Sequence, residues 1–338
     1  MTKAYWESKI FAIKEDDFLS FALEAFAFQK NNNPVYNRYL KETKQFEKNI
    51  SEYYQFPTLP ISFFKTHDVV TPKPNTESSS THVFLSSGTT DSFNRSKHIV
   101  LDLSIYEKNI YNIFNKFYGP VNQYFFIGLL PNYLENKSSS LIHMVDKLIK
   151  QGRGGAFINE LDEVIIKVNQ LTEAHCKVVL FGVAYSLLDL AEYMQKNNVK
   201  FNNTENIIIV ETGGMKGRRK EITKEELHLI LQKQLNIDKL HSEYGMTELL
   251  SQAYSSECNK YLCPPQMKVF ITELNDPFAI IKEPNKKGVI NIIDLANIYS
   301  CSFIKTEDIG QINSDGTFSV NGRLDYSDLR GCNLLMDS

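Results

Sequence analysis

Between residues 17 and 30, Phe18, Leu19, Phe21, Ala22, Leu23, Ala25, Phe26 and Phe28 cluster as they do on a helix with an aromatic face. Burial of that face is expected, rather than contact with a membrane. Asn31-Asn32-Asn33-Pro34 stops the helix, because proline restrains the residue before it and asparagine suits a turn. A polar helix is predicted from there to about Tyr54, and two prolines make 56–65 extended. A polar lead-in at 71–80 precedes the short apolar run 83–85, and apolar periodicity resumes at Ile99. Leu103, Ile105, Tyr106, Ile110, Ile113 and Phe117 predict a helix over 101–118, ended by Gly119-Pro120.

Beyond residue 120 short apolar runs alternate with helical spacing. Strands are predicted at 124–130, 177–182, 207–210, 268–274 and 289–295, and helices at 141–151, 161–172, 185–194 and 223–235. Four β-branched residues in a row at 207–210 imply a strand buried on both faces. Thr223 is placed to cap the last helix, with Glu225 and Glu226 in its first turn. Turn signals stand at Asn313-Ser314-Asp315-Gly316 and at Asn321-Gly322. Repeated strand-then-helix alternation predicts an α/β fold with a parallel or mixed sheet covered by helices. In such sheets ligands sit where loops leave the C-terminal strand ends. Three such loops are polar here: 86–98, 211–219 and 241–248.

Composition narrows the classes. A hydrophobic share of 42% over 338 residues supplies a core and excludes global disorder. Lys and Arg number 37 against 40 Asp and Glu, so no overall field favours nucleic acid. Five cysteines at 176, 258, 263, 301 and 332 make no disulfide framework, and an intracellular, cytoplasmic enzyme is the expectation. The N-terminus lacks the apolar core of a secretory signal, and no run is long enough for a membrane span.

Candidate chemistry concentrates in the polar loops. Ser86, Ser87, Gly88, Thr89 and Thr90 offer hydroxyls around a glycine that lets backbone N–H groups converge on an anion, and Arg95 and Lys97 add positive charge, with His98 next in the chain. The Walker pattern is absent, and a Ser/Thr-rich cap is the plainer alternative. Gly213-Gly214 permits close backbone approach, with Lys216, Arg218 and Arg219 alongside. In His241-Ser242-Glu243-Tyr244-Gly245-Met246-Thr247-Glu248, Tyr244 is suited to a purine, Thr247 to phosphate and Glu248 to magnesium; core packing and a helix-start charge are the alternatives. Asp308, in Thr306-Glu307-Asp308-Ile309-Gly310, offers two oxygens to a ribose or serves a turn. Cys332 follows Arg330, which favours its thiolate; a buried hydrophobe is the commoner role of cysteine.

Taken in order, these segments resemble the adenylate-forming superfamily. Ser86-Ser87-Gly88-Thr89-Thr90 resembles its phosphate loop, Tyr244-Gly245-Met246-Thr247-Glu248 its second nucleotide motif, Thr306-Glu307-Asp308 its ribose motif, and Gly322-Arg323 through Gly331 its hinge. Leu59-Pro60-Ile61-Ser62-Phe63-Phe64-Lys65, Arg95-Ser96-Lys97-His98, Ser139-Ser140-Leu141, Gly213-Gly214-Met215-Lys216 and Arg330-Gly331-Cys332 are most similar to the acyl-protein synthetase branch, which supplies the fatty-acid activating component of bacterial bioluminescence reductase complexes. Two departures stand out. Asp91 replaces the glycine that commonly follows the threonines, and the chain stops soon after the hinge motif, without the usual C-terminal domain and its lysine.

The resemblance implies helix-covered mixed sheets of the adenylate-forming N-terminal domain type. It divides the chain into a helical segment at 1–55, an adenylate-forming domain at 56–320 and a hinge-like tail at 321–338. ATP and Mg2+ are the implied cofactors and a carboxylic, preferably fatty, acid the substrate. Ser86, Ser87, Gly88, Thr89, Thr90, Gly213, Gly214, Tyr244, Gly245, Thr247, Asp308 and Arg323 would bind the nucleotide, and Glu248 the metal. Lys97, His98 and Lys216 are candidates for the missing charge and catalysis, and Cys332 for an acyl-accepting thiol. An acyl reductase, acyltransferase or carrier protein is the implied partner class. Two other readings stay open: a ligase delivering directly to coenzyme A, a carrier protein or an amine, and an inactive nucleotide-binding scaffold.

Overall fold

The computed structural model describes residues 2–72, 81–86, 95–131, 138–213, 219 and 222–324. One sheet collects the β-branched runs. Its strands β4 (Tyr124–Leu129), β5 (Gly155–Phe157), β6 (Lys177–Val183), β7 (Ile207–Thr212), β8 (His241–Tyr244) and β9 (Ala253–Ser255) lie in the order β5-β4-β6-β7-β8-β9. All neighbours are parallel except β9, which pairs antiparallel with β8. The parallel strands are linked by helices α6 (Ser140–Gln151), α7 (Leu161–Glu173), α8 (Ala184–Asn197) and α9 (Lys224–Leu235), as parallel pairing requires. Ile209 and Val210 are buried as the sequence implied, while Ile207 and Ile208 are only half-buried.

The second sheet is antiparallel apart from one edge. It orders β1 (Leu59–Pro60), β13 (Phe303–Ile312), β12 (Gly288–Asp294), β10 (Met267–Thr272) and β11 (Ile280–Ile281), with β14 (Phe318–Arg323) also on β13. Helices α1 (Lys3–Ala12), α2 (Phe18–Asn32) and α3 (Pro34–Glu42) join its core: Phe26, Tyr36 and Phe56 surround Phe303 with ring centroids 5.6, 6.0 and 4.7 Å away. The buried amide of Gln29 donates to the carbonyls of Asn297 and Ile298 and accepts from the Ser302 N–H.

Between the sheets, β2 (His82–Leu85) and β3 (Lys97–Val100) form a hairpin, followed by α5 (Leu103–Tyr118). Short helix α4 (Phe63–Thr66) packs against β3.

Three local expectations change. The polar helix after Pro34 ends at Glu42, where Thr43 turns its hydroxyl back to the Tyr39 carbonyl. Residues 306–310 run through strand β13 instead of making a turn, because Thr306 is buried and its hydroxyl is bound to the Ile290 carbonyl. Asn321-Gly322 lies inside β14, at a register shift opposite Ile309 and Gly310; Gly322 has a φ of 154°.

Candidate functional site

The 87–94 loop itself lies outside the described residues, and its two ends are joined below it. The Ser86 N–H donates to the Ser96 carbonyl at 3.0 Å, the Ser96 N–H to the Ser86 hydroxyl at 2.9 Å, and the Arg95 guanidinium to the Ser86 carbonyl. Both charged candidates at this end are therefore engaged. Lys97 keeps 41% of its side chain exposed but pairs with Asp68 at 2.5 Å.

Glu248 stands in the eight-residue segment 245–252 between β8 and β9, which is neither helix nor strand. It is buried, and burial raises its pKa; the Ser96 hydroxyl pulls it back, as do the charges of Arg323 and Lys65. Those neighbours join the loop's neck to the far side of the site. Lys65 and Arg323 flank Glu307 at 3.8 and 3.0 Å. Next to Glu307 is Asp308, directly across the β13–β14 ladder from Arg323.

Asp308 accepts the Tyr244 hydroxyl at 2.7 Å, and its own N–H donates to Thr306 at 3.0 Å. Burial raises the Asp308 pKa, against the pull of Tyr244 and Arg323. Burial and the Asp308 carboxylate push the Tyr244 phenol well above its ordinary value, so it stays a neutral donor. One edge of the Tyr244 ring packs on Tyr261 and Phe318, at 5.8 and 5.4 Å. The ring thus packs as the core-packing alternative has it, and its hydroxyl holds the Asp308 carboxylate, a contact that neither reading gave.

Glycine matters at two places, through backbone conformation at the first and a close side chain at the second. Gly213 has a φ of 74°, a left-handed conformation a side chain resists. At Gly245 a Cβ would collide with Glu243 Oε1. Glu243 Oε2 accepts from Thr212 at 2.5 Å, and burial lifts its pKa to about 7, with Thr212 opposing and Glu211 adding to the rise. Glu211 is itself buried and paired to Lys224 at 2.5 Å, with its Oε1 lacking a hydrogen-bond partner among the described residues. Arg219 turns away to Asp189 and Glu192 on α8.

Hydrogen bonds thus join Ser86 to Ser96 and Tyr244, next to Gly245, to Asp308, which faces Arg323 across the ladder; Ser96 bonds to Glu248, next to Thr247, while Arg323 and Lys65 act on that carboxylate only through their charge, and Gly213 stands at the end of β7 beside β8. His98 lies behind this set, fully buried, its ring edge-on to Phe64 and its Nδ1 bonded to the Thr247 carbonyl. Ser87, Gly88, Thr89, Thr90, Gly214, Lys216 and Cys332 fall outside the described residues. Lys65, Ser96 and Glu307 are not among the site residues expected from sequence; each lies inside a segment that carries the family resemblance, which is the signal that marks them.

Among the described residues no three His, Cys, Asp or Glu side chains gather as a metal cage. One buried carboxylate bonded to Ser96 still fits Mg2+, which takes one or two carboxylates and fills its sphere with water and substrate phosphates. The desolvation cost of burying an ionised Glu248 would fall if a cation shared its site.

The sequence model of the family described as "Acyl-protein synthetase, LuxE" matches residues 129–338. The chain belongs to that family. It is 22% identical to the long-chain-fatty-acid–luciferin-component ligase of Aliivibrio fischeri, over 93% of this chain and 86% of that protein. Among solved structures, an open 2-hydroxyisobutyryl-CoA ligase in complex with 2-HIB-AMP and CoA matches with a TM-score of 0.66 at 12% identity, covering 92% of this chain and 70% of that one. ATP-bound MatB from Rhodopseudomonas palustris matches at 0.55 and 14% identity, over 71% of this chain; the aligned part spans 47% of MatB. The fold is that of the adenylate-forming N-terminal domain. Among the described residues no helix is long and apolar enough to cross a membrane.

Proposed function

We propose that this chain activates a carboxylic acid with ATP, forming an acyl-adenylate and pyrophosphate, and passes the acyl group to a separate acceptor. The observation that carries the reading is the joining of the loop neck at Ser86 and Ser96, through Glu248, Lys65 and Arg323, to the Tyr244–Asp308 pair. In this reading Asp308 accepts the ribose hydroxyls, and Tyr244 orients that carboxylate and borders the base. The 86–90 hydroxyls and N–H groups take the phosphates, with Lys97 and Lys65 as nearby charge. Glu248 would hold Mg2+, which supplies charge neutralisation at the phosphates when bound. An oxygen of the substrate carboxylate bonds to the α-phosphorus as the bond to the bridging oxygen breaks, and pyrophosphate leaves with that electron pair. The chain's work in this step is positioning and electrostatics.

The acyl group then reaches its acceptor in one of two ways. Direct attack by an external thiol or amine is favoured, because the fold is shared with a ligase captured with an acyl-AMP and CoA. Relay through Cys332 is the second reading, supported by the family's description and by the Aliivibrio relative, whose name specifies a long-chain fatty acid. A fatty acid is accordingly the first substrate to try. Intact-mass measurement after incubation with ATP and acid separates the two readings. A hydroxylamine-labile acyl adduct lost in Cys332→Ser supports relay; product formed only with added coenzyme A, carrier protein or amine supports direct transfer.

A further inference from the structure

The backbone of segment 245–252 is held by buried side chains from elsewhere in the fold. Asn297 donates to the Glu248 carbonyl at 2.8 Å, Asn109 to the Leu250 carbonyl at 2.6 Å, and Asp294 accepts the N–H groups of Leu250 and Ser251 at 2.8 and 2.9 Å. A fourth contact differs in where it comes from. His98 donates from Nδ1 to the Thr247 carbonyl at 2.8 Å, and His98 sits on β3, the strand that leads out of the 87–94 loop. It is also the cross-strand partner of Phe84 in the hairpin below that loop.

The tautomer follows from the acceptor. A carbonyl cannot donate, so Nδ1 carries the proton, and the neutral ring keeps its lone pair on Nε2. Nε2 is buried and has no hydrogen-bond partner among the described residues. A fully buried ring, edge-on to Phe64 and with its one proton committed to a backbone carbonyl, is poorly placed to move protons for a substrate. Its one polar contact spans 149 positions of sequence and ties the hairpin to the residue before Glu248.

We propose that His98 is a positioning residue: its Nδ1–H locks the β2–β3 hairpin to the Thr247 carbonyl, fixing the hairpin strands and Glu248 relative to one another for binding ATP. The proposal rests on the adenylation reading above. Its chemical requirement is narrow, a hydrogen-bond donor at the Nδ1 position and no charge. Asparagine places its amide nitrogen near Nδ1, glutamine places it near Nε2, and phenylalanine keeps the ring without any donor.

The test is calorimetric titration of the full chain with ATP and Mg2+, beside KM values for ATP and for the acid in pyrophosphate exchange. Circular dichroism and thermal midpoints establish folding. His98→Asn is expected to keep the wild-type Kd within about threefold, while His98→Phe and His98→Gln raise Kd and the ATP KM about tenfold or more, the scale of one lost hydrogen bond, with the acid KM unmoved. A merely structural histidine would shift the thermal midpoint and leave that split absent. Wild-type affinity in folded His98→Phe, or equal impairment in His98→Asn and His98→Phe, would overturn the proposal. If His98→Phe fails to fold, His98→Gln against His98→Asn decides on the same criterion. Absence of ATP binding by the wild-type chain would sink the adenylation reading itself, a different result from binding that ignores position 98.

Discussion

At Asp308 a half-buried carboxylate depends on one phenol. The Tyr244 hydroxyl donates to it at 2.7 Å, and removing that donor leaves a largely shielded acceptor short of a partner. Tyr244→Phe should therefore cost about 1–3 kcal/mol in urea unfolding and weaken ATP binding as well. Loss of stability with unchanged ATP affinity would separate the pair from the nucleotide. Glu243 makes a pH prediction. Its pKa is about 7 in the fold against 4.5 ordinarily, mainly through burial. An acid that holds its proton more tightly when folded loses stability as pH rises from the lower value to the higher, and the loss then levels off. The difference amounts to about 3 kcal/mol at most. Glu243→Gln should hence raise the thermal midpoint relative to wild type at about pH 8, with the advantage fading toward about pH 5. Equal midpoint differences at both pH values would contradict the assignment. Residue identity alone could not have shown this, since Glu243 is one acid among 40 until the sheet buries it beside Glu211 and Thr212.

At the scale of elements, periodicity read well wherever one face is buried. The 101–118, 141–151, 161–172 and 223–235 helices and the β4, β6, β7, β10 and β12 strands all lie within a few residues of their predicted ends. Thr223 caps α9 by accepting the Glu226 N–H. Short polar pieces were less legible. The Lys97–Val100 strand was absorbed into the approach to a helix, because four residues with two polar members carry little period and only pairing with His82–Leu85 defines them. Asp308 was read between strands for a similar reason: Thr306-Glu307-Asp308 is too polar for a core strand, and its place on β13 comes from the ladder to Arg323. Within the N-terminal helices, Phe26 packs on Phe303 and Gln29 accepts from the Ser302 N–H. Gln29→Ala removes a buried amide bonded to Asn297, Ile298 and Ser302 and should cost about 3 kcal/mol in chemical denaturation. A loss below about 1 kcal/mol would mean that α2 docks through its aromatic face alone.

For the whole molecule, the order of motifs along the chain is matched by bonds between some of their described residues. Residue 86, the 244–248 segment and residue 308 are far apart in sequence, yet Ser86 bonds to Ser96, Ser96 to Glu248, and Tyr244 to Asp308. What the order of motifs could not show is the wiring between them. Lys65 and Arg323 share Glu307, and Ser96 reaches Glu248, through contacts that exist only after both sheets and the hairpin have packed. Acid-dependent exchange of labelled pyrophosphate into ATP, run on wild type and on Glu248→Gln across carboxylic acids of increasing chain length, tests the central claim most directly. The account predicts exchange with at least one acid and its fall by about 100-fold or more in the folded variant, the scale set by removing one electrostatic partner of a transferring phosphoryl group. No exchange with any acid by a folded wild-type chain that binds ATP, or exchange undiminished in Glu248→Gln, would contradict it.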